Sequence, residues 1–137
     1  MRKKYDISLM NKMILFEKIT GVKLKDCIEQ EDKIIFIVDL NQLTKAVGPK
    51  GSKVKELAKK LNKKIKIVEY NPALLVFIRN LIAPLNVDSV EEKDGVVIIS
   101  DSDRKVKGLL IGKNAKNLRE YEEITKRFFN IKEIRVV

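Results

Sequence analysis

The sequence predicts an α+β chain made of two copies of one unit, αββααβ, each with its helices packed on one face of a three-stranded sheet. Three observations predict it. Apolar residues at helical spacing open each half, first Leu9, Met10, Met13, Ile14 and Phe16, then Leu74, Leu75, Ile78, Leu81 and Ile82. Two β-rich runs follow each of these helices, and a glycine break sits at an equivalent place in both halves, at Gly48 and Gly112. The 137 residues therefore divide into domains 1–70 and 71–137, each near the lower size at which a core sustains itself.

The elements follow in order. Asp6 is a cap for the first helix, which ends near Gly21. Val22–Ile28 and Ile34–Val38 read as a hairpin of strands, and Leu43–Val47 as a short helical turn before Gly48-Pro49-Lys50-Gly51. In the next helix Val54, Leu57, Ala58 and Leu61 fall at i, i+3, i+4 and i+7 and face inward, which leaves Lys53, Lys55, Lys59 and Lys60 for solvent or a ligand. Ile65 and Ile67 alternate with lysines as a strand. Asn71-Pro72 then reads as a capped helix start, with the apolar stripe stopping before Pro84. Val87–Glu91 and Val96–Ile99 flank the turn Lys93-Asp94-Gly95. Arg104–Ile111 is a short helix, Leu118 to Phe128 a longer one, and Ile134 and Val136 mark a closing strand. With no Gly/Ser-rich linker at Glu69-Tyr70, the two halves are expected to pack together.

The charge is local. The formal net charge is +10, of which residues 1–70 carry +8 and 71–137 carry +2. Between Leu43 and Lys66 nine lysines stand against Glu56 alone, so a polyanion is the expected partner. The absence of histidine removes the usual proton shuttle near neutral pH and the usual nucleophile activator, which argues against an enzyme. Cys27 is alone, so it forms no internal disulfide and reads as a small core residue in a reducing compartment. The basic Met1-Arg2-Lys3-Lys4 is followed by too short an apolar stretch for a signal peptide, and no run is long enough to span a membrane. A cytoplasmic protein without a cofactor is expected.

The chemistry lies in the break. Two helices joined by Gly-x-x-Gly put backbone N–H groups beside the second helix's positive end, where phosphate oxygens bind and glycine permits close approach. In Val47-Gly48-Pro49-Lys50-Gly51-Ser52-Lys53-Val54, the glycines, Pro49, Lys50 and Lys53 are placed to hold a nucleic-acid backbone, and Val47, Val54 and Ile65 to contact bases. The second copy, Ile111-Gly112-Lys113-Asn114-Ala115-Lys116-Asn117-Leu118, extends this track through Gly112, Lys113, Asn114 and Lys116. Ala115 replaces the second glycine there; its β-carbon crowds a sugar-phosphate and penalises positive φ, so the first turn ranks above the second. Pro49 stiffens the first turn but has no N–H to give.

These residues resemble the KH domain, whose signature is an apolar residue, Gly-x-x-Gly with a basic x, and an apolar residue three positions on; the resemblance covers nearly the whole chain, twice. The element order is similar to the type II form. Tandem type II KH domains without a spacer resemble the NusA transcription factors, in particular short archaeal members. The resemblance implies one extended surface for single-stranded RNA, a role in transcription elongation or termination, and RNA polymerase or other transcription machinery as further partners. The chain has no room for the polymerase-binding N-terminal and S1 domains of larger members.

Other readings stand beside it. Gly108-Leu109-Leu110-Ile111-Gly112-Lys113-Asn114 is a poor P-loop, one residue short between glycines and with Asn where Ser or Thr binds magnesium. Asp101 and Asp103 read as helix caps before they read as a metal or acid–base pair. Phe128 and Phe129 can stack on bases, but at least one falls on the core stripe; Tyr70 and Tyr121 are open in the same way. The alternatives for the whole chain are a KH-fold module whose basic face binds an acidic protein, and an RNA-processing or ribosome-associated RNA binder.

Overall fold

The structure is a computed structural model that describes residues 6–137; the basic Met1–Lys4 stretch lies outside them. The chain forms two compact units, one reaching to Asn71 and the other spanning Pro72–Val137. Each holds one three-stranded sheet. Among the described residues no helix is long and apolar enough to cross a membrane.

In the first unit Asp6 caps α1 (Ile7–Thr20) by accepting from the Leu9 N–H at 2.7 Å, and Gly21 ends the helix at φ 69°. That helix buries Phe16, which stacks on Phe36 with ring centroids 4.4 Å apart. Strand β1 (Leu24–Glu29) pairs antiparallel with β2 (Lys33–Val38), which pairs in parallel with β3 (Lys64–Glu69). The first strand starts two residues later than the expected Val22–Ile28, and Val22 is a core residue ahead of it. Helices α2 (Leu43–Val47) and α3 (Ser52–Leu61) complete the unit.

Strand β2 is the centre. Ile34, Phe36 and Val38 join Phe16, Cys27, Ala46 and Leu57 in one core, while Ile35 and Ile37, which alternate with them, are buried as well. A strand covered on both sides reads as a continuous apolar run, as this one does. Lys66 pairs with Ile35 and so shares that second face; burial, helped by the charge of Lys33, pushes its ammonium down to about 8.

The second unit repeats the order. Helix α4 (Leu74–Ile82) begins beyond the expected Asn71-Pro72 start: Ala73 is its N-cap and no side chain caps it, so the apolar stripe sets the boundary instead. Strands β4 (Ser89–Lys93) and β5 (Val96–Ser100) form the expected hairpin, with Asp94 at φ 51° and Gly95 at φ 81° as its two turn residues. After α5 (Arg104–Ile111) and α6 (Lys116–Lys126), β6 (Glu133–Val136) pairs in parallel with β5. The core gathers Ile78, Ile82, Val97, Ile99, Leu110 and Ile134. Phe128 and Phe129 fall beyond α6 and both pack on Phe77, at centroid distances of 5.6 and 5.5 Å. Tyr121 packs against the core, and its burial raises its phenol.

Candidate nucleic-acid interface

Helix α2 stops because Gly48 turns the chain aside at φ 79°, ψ 169°, while its N–H still donates to Thr44 O at 3.1 Å. Lys50 (φ 53°) and Gly51 (φ 72°) then take left-handed conformations, and α3 starts at Ser52 with no side chain capping it. The second copy repeats this backbone at Gly112 (φ 74°), Asn114 (φ 55°) and Ala115 (φ 60°). Its Gly112 N–H donates to Gly108 O at 2.8 Å.

Ala115 thus accepts the conformation its β-carbon penalises, at a cost of about 1–2 kcal/mol. Space explains why this is tolerated. A β-carbon added at Gly51, the matching residue, would meet nothing within 4 Å, whereas one added at Gly48 would lie 2.7 Å from Lys53 Cγ and one at Gly112 2.7 Å from Asn117 Cγ. The first glycine of each turn is required by conformation and space; at the second position glycine is favoured by conformation alone.

The side chain crossing each first glycine is a strut. Lys53 Nζ donates to Thr20 O and to Lys45 O, both at 3.1 Å, so its ammonium sits on the carbonyl that ends α1 and on one within α2. Asn117 Nδ2 donates to Leu109 O at 2.9 Å. Each strut lies five residues after its glycine and reaches the carbonyl three residues before it. This corrects the reading of Lys53 as an outward-facing lysine. No sequence pattern reveals it; the hydrogen bonds shared by the two copies at that offset do.

The row of free amides expected of the turn is also reduced. The Gly51 N–H donates to Gly48 O at 3.1 Å, the Ser52 N–H to Pro49 O, and the Gly48 N–H to Thr44 O. What faces solvent is charge: Pro49 and Lys50 are exposed, as are Lys113, Asn114 and Lys116 in the second turn. By position Lys116 matches Ser52, not Lys53. Val47, Val54 and Ile65 are half-buried, with Ile65 packed against the core from β3, and Ile111 is half-buried in the second unit.

The nine lysines of the basic segment divide by partner. Lys45, Lys50, Lys55, Lys59, Lys60 and Lys64 are exposed. Lys63 reaches Glu29 Oε2 at 2.8 Å and Gln30 O at 2.9 Å, and Lys12 binds the same carboxylate; these two cations hold Glu29 below its usual range. Asp103 caps α5 by accepting from the Lys105 N–H at 2.8 Å, as expected of it.

Comparison with known proteins agrees with this geometry. The KH domain family model matches residues 6–95. The probable transcription termination protein NusA of Methanocaldococcus jannaschii is 35% identical, over 92% of this chain and 70% of that protein. Its counterparts in Methanococcus vannielii and Halococcus morrhuae are 31% and 30% identical, covering 100% and 88% of this chain and 81% and 88% of theirs. The crystal structure of APE1850 superposes with a TM-score of 0.73 at 28% identity, over 97% of this chain and all of that one. The chain belongs to the KH-domain proteins of the NusA family.

Proposed function

We propose that the protein binds single-stranded RNA through two tandem type II KH domains, residues 1–70 and 71–137, and acts in transcription elongation or termination in the cytoplasm. The parallel pairing of β2 with β3 and of β5 with β6 supports the type II reading. The names of its relatives support the transcriptional role, with RNA polymerase or other transcription machinery as the surrounding partners. One observation carries the RNA reading: Lys50 stands exposed at a left-handed kink between two glycines, directly before a helix start that no side chain caps. Phosphates meet Lys50 and the positive end of α3, with Gly48, Pro49 and Gly51 letting the strand come close. Bases rest on Val47, Val54 and Ile65. The second turn, from Ile111 through Gly112, Lys113, Asn114 and Ala115 to Lys116, offers a second such surface, with exposed Lys113 and Lys116 as its cations. The protein supplies binding and no reaction.

Anisotropy titration with single-stranded RNA across salt concentrations tests this. Contact with about four to six phosphates gives a slope of log affinity against log salt of roughly −3 to −4. A duplex of equal length competes poorly, because paired bases cannot enter the groove. A flat salt response, with binding to an acidic protein instead, would overturn the RNA reading.

A further inference from the structure

We propose that a cleft at the other end of α2, between the start of β1 and the loop after β2, is a second RNA subsite that takes one nucleotide of the strand held at Gly48–Gly51. It rests on the RNA reading above. The cleft has a volume of about 440 Å³ and is lined by Lys23, Leu24, Lys25, Asp39, Leu40 and Gln42. That size lies within the range of small-ligand sites.

Local irregularities build it. Strand β1 shifts register against β2 between Leu24 and Asp26, so Lys25 is an extra residue in the ladder. A bulge of this kind re-aims side chains. Lys25 Nζ lies 4.3 Å from the centroid of the Tyr70 ring, which holds the cation in place. On the other side Asn41 is left-handed at φ 66°, and Asp39 Oδ1 accepts from the Leu40 N–H at 2.8 Å. This bend leaves the Leu40 side chain 41% exposed.

The lining has the chemistry of a nucleotide. Lys23 and Lys25 are exposed cations for phosphate, and Leu24 and Leu40 offer an aliphatic surface to a base face. The Asp39 carboxylate and Gln42 carboxamide can accept N–H donors from a base edge, which favours a base with an exocyclic amino group over uracil. Position links the cleft to the turn. Gln42 precedes α2 and Gly48 ends it, a separation of about 9 Å at the helical rise. Lys45 stands between: its exposed side chain runs beside Gly21, where an added β-carbon would lie 3.7 Å from Lys45 Cε.

The second unit argues the same point by contrast. At the matching strand ends the Asp88 N–H donates to Asp101 Oδ2 and the Ser102 N–H to Asp88 Oδ2, both at 3.0 Å. Carboxylates hydrogen-bond across that end, and Arg104 and Lys105 follow it in the chain. At the 64-residue offset of the two glycines, Lys23 and Lys25 are matched by Val87 and Ser89.

The test is binding of the full chain to single-stranded RNAs of four to ten nucleotides. Wild-type affinity should step up about five- to twentyfold once the strand reaches the cleft, less for all-uridine strands. The pair Lys23→Gln and Lys25→Gln should remove the step and reduce the salt slope by about 0.7 to 1.4, with tetranucleotide binding unchanged. The neutral pair Leu40→Ala and Gln42→Ala should lose three- to tenfold on long strands alone, at unchanged salt slope. A wild-type chain with no length step, or variants that weaken short and long strands equally, would overturn the subsite. A polyglutamate peptide held by wild type and released by the lysine variant, without a length step, would make it a protein-binding cleft instead. Failure to bind any tetranucleotide would point to the first turn's reading, not to the cleft.

Discussion

The turns at Gly48–Gly51 and Gly112–Ala115 follow one backbone path with different side chains on it. Gly51 and Ala115 stand at φ 72° and 60°, Lys50 and Asn114 at φ 53° and 55°. Each turn is braced by the side chain five residues beyond its first glycine. The difference lies in what faces out: proline then lysine at the first kink, lysine then asparagine at the second. Shape therefore comes from the first glycine and the strut, and the capacity to hold phosphate from the residue displayed on that shape.

Removing a first glycine is the most severe way to break this likeness. Gly48→Ala puts a β-carbon 2.7 Å from Lys53 Cγ at a positive φ, and should cost about 2–4 kcal/mol in urea unfolding. Gly51→Ala, with open space around it, should cost only about 1–2 kcal/mol. Equal losses at both sites would contradict the steric role of Lys53.

The strut itself comes next. Lys53→Met leaves Thr20 O and Lys45 O without this donor and should cost about 1–2 kcal/mol, while Lys53→Asn, the residue of the second copy, should recover part of it. RNA affinity should fall with the Met change, but the salt slope should stay constant. A slope reduced by about 0.7 would mean that Lys53 meets phosphate directly.

These two effects differ in how far the sequence discloses them. The helix ending at Val47 and the break at Gly48 were legible because glycine and proline punctuate the chain locally. Lysines 53, 63 and 66 were not separable from their neighbours. A lysine that reaches back to a carbonyl, as Lys53 does, has the same helical period as one in solvent, and Lys63 finds Glu29 34 residues away. The helix start at Asn71-Pro72 misled for a related reason: cap chemistry is permissive, and the buried stripe from Leu74 decided. The bulge at Lys25 follows from pairing with β2, which local pattern does not encode.

A smaller change sharpens the comparison from the other side. Ala115→Gly removes the left-handed strain of the second turn and should stabilise the chain by about 1 kcal/mol. Adding Asn114→Lys should raise RNA affinity severalfold, bringing the second turn toward the first. No gain would mean that the second groove is closed for another reason.

A separate effect is one of pH. Folding lowers Lys66 to about 8 because burial disfavours its charged form. Between that value and the unfolded one the unfolded chain binds more protons, so stability should rise with pH through this window and be lost as pH falls to 8. Melting curves at pH 7.5 and 10 should show the rise, and Lys66→Met should diminish it. A melting temperature independent of pH, or falling across the window in wild type and variant alike, would contradict it.

The most direct measurement compares the two turns in one titration. Pro49→Asp with Lys50→Asp places negative charge on exposed residues of the first turn, and Lys113→Asp with Asn114→Asp does so in the second. The first pair should weaken single-stranded RNA binding more than tenfold at nearly unchanged melting temperature, the second only a few-fold. Unaltered affinity in the first pair, or the larger loss in the second, would contradict the account.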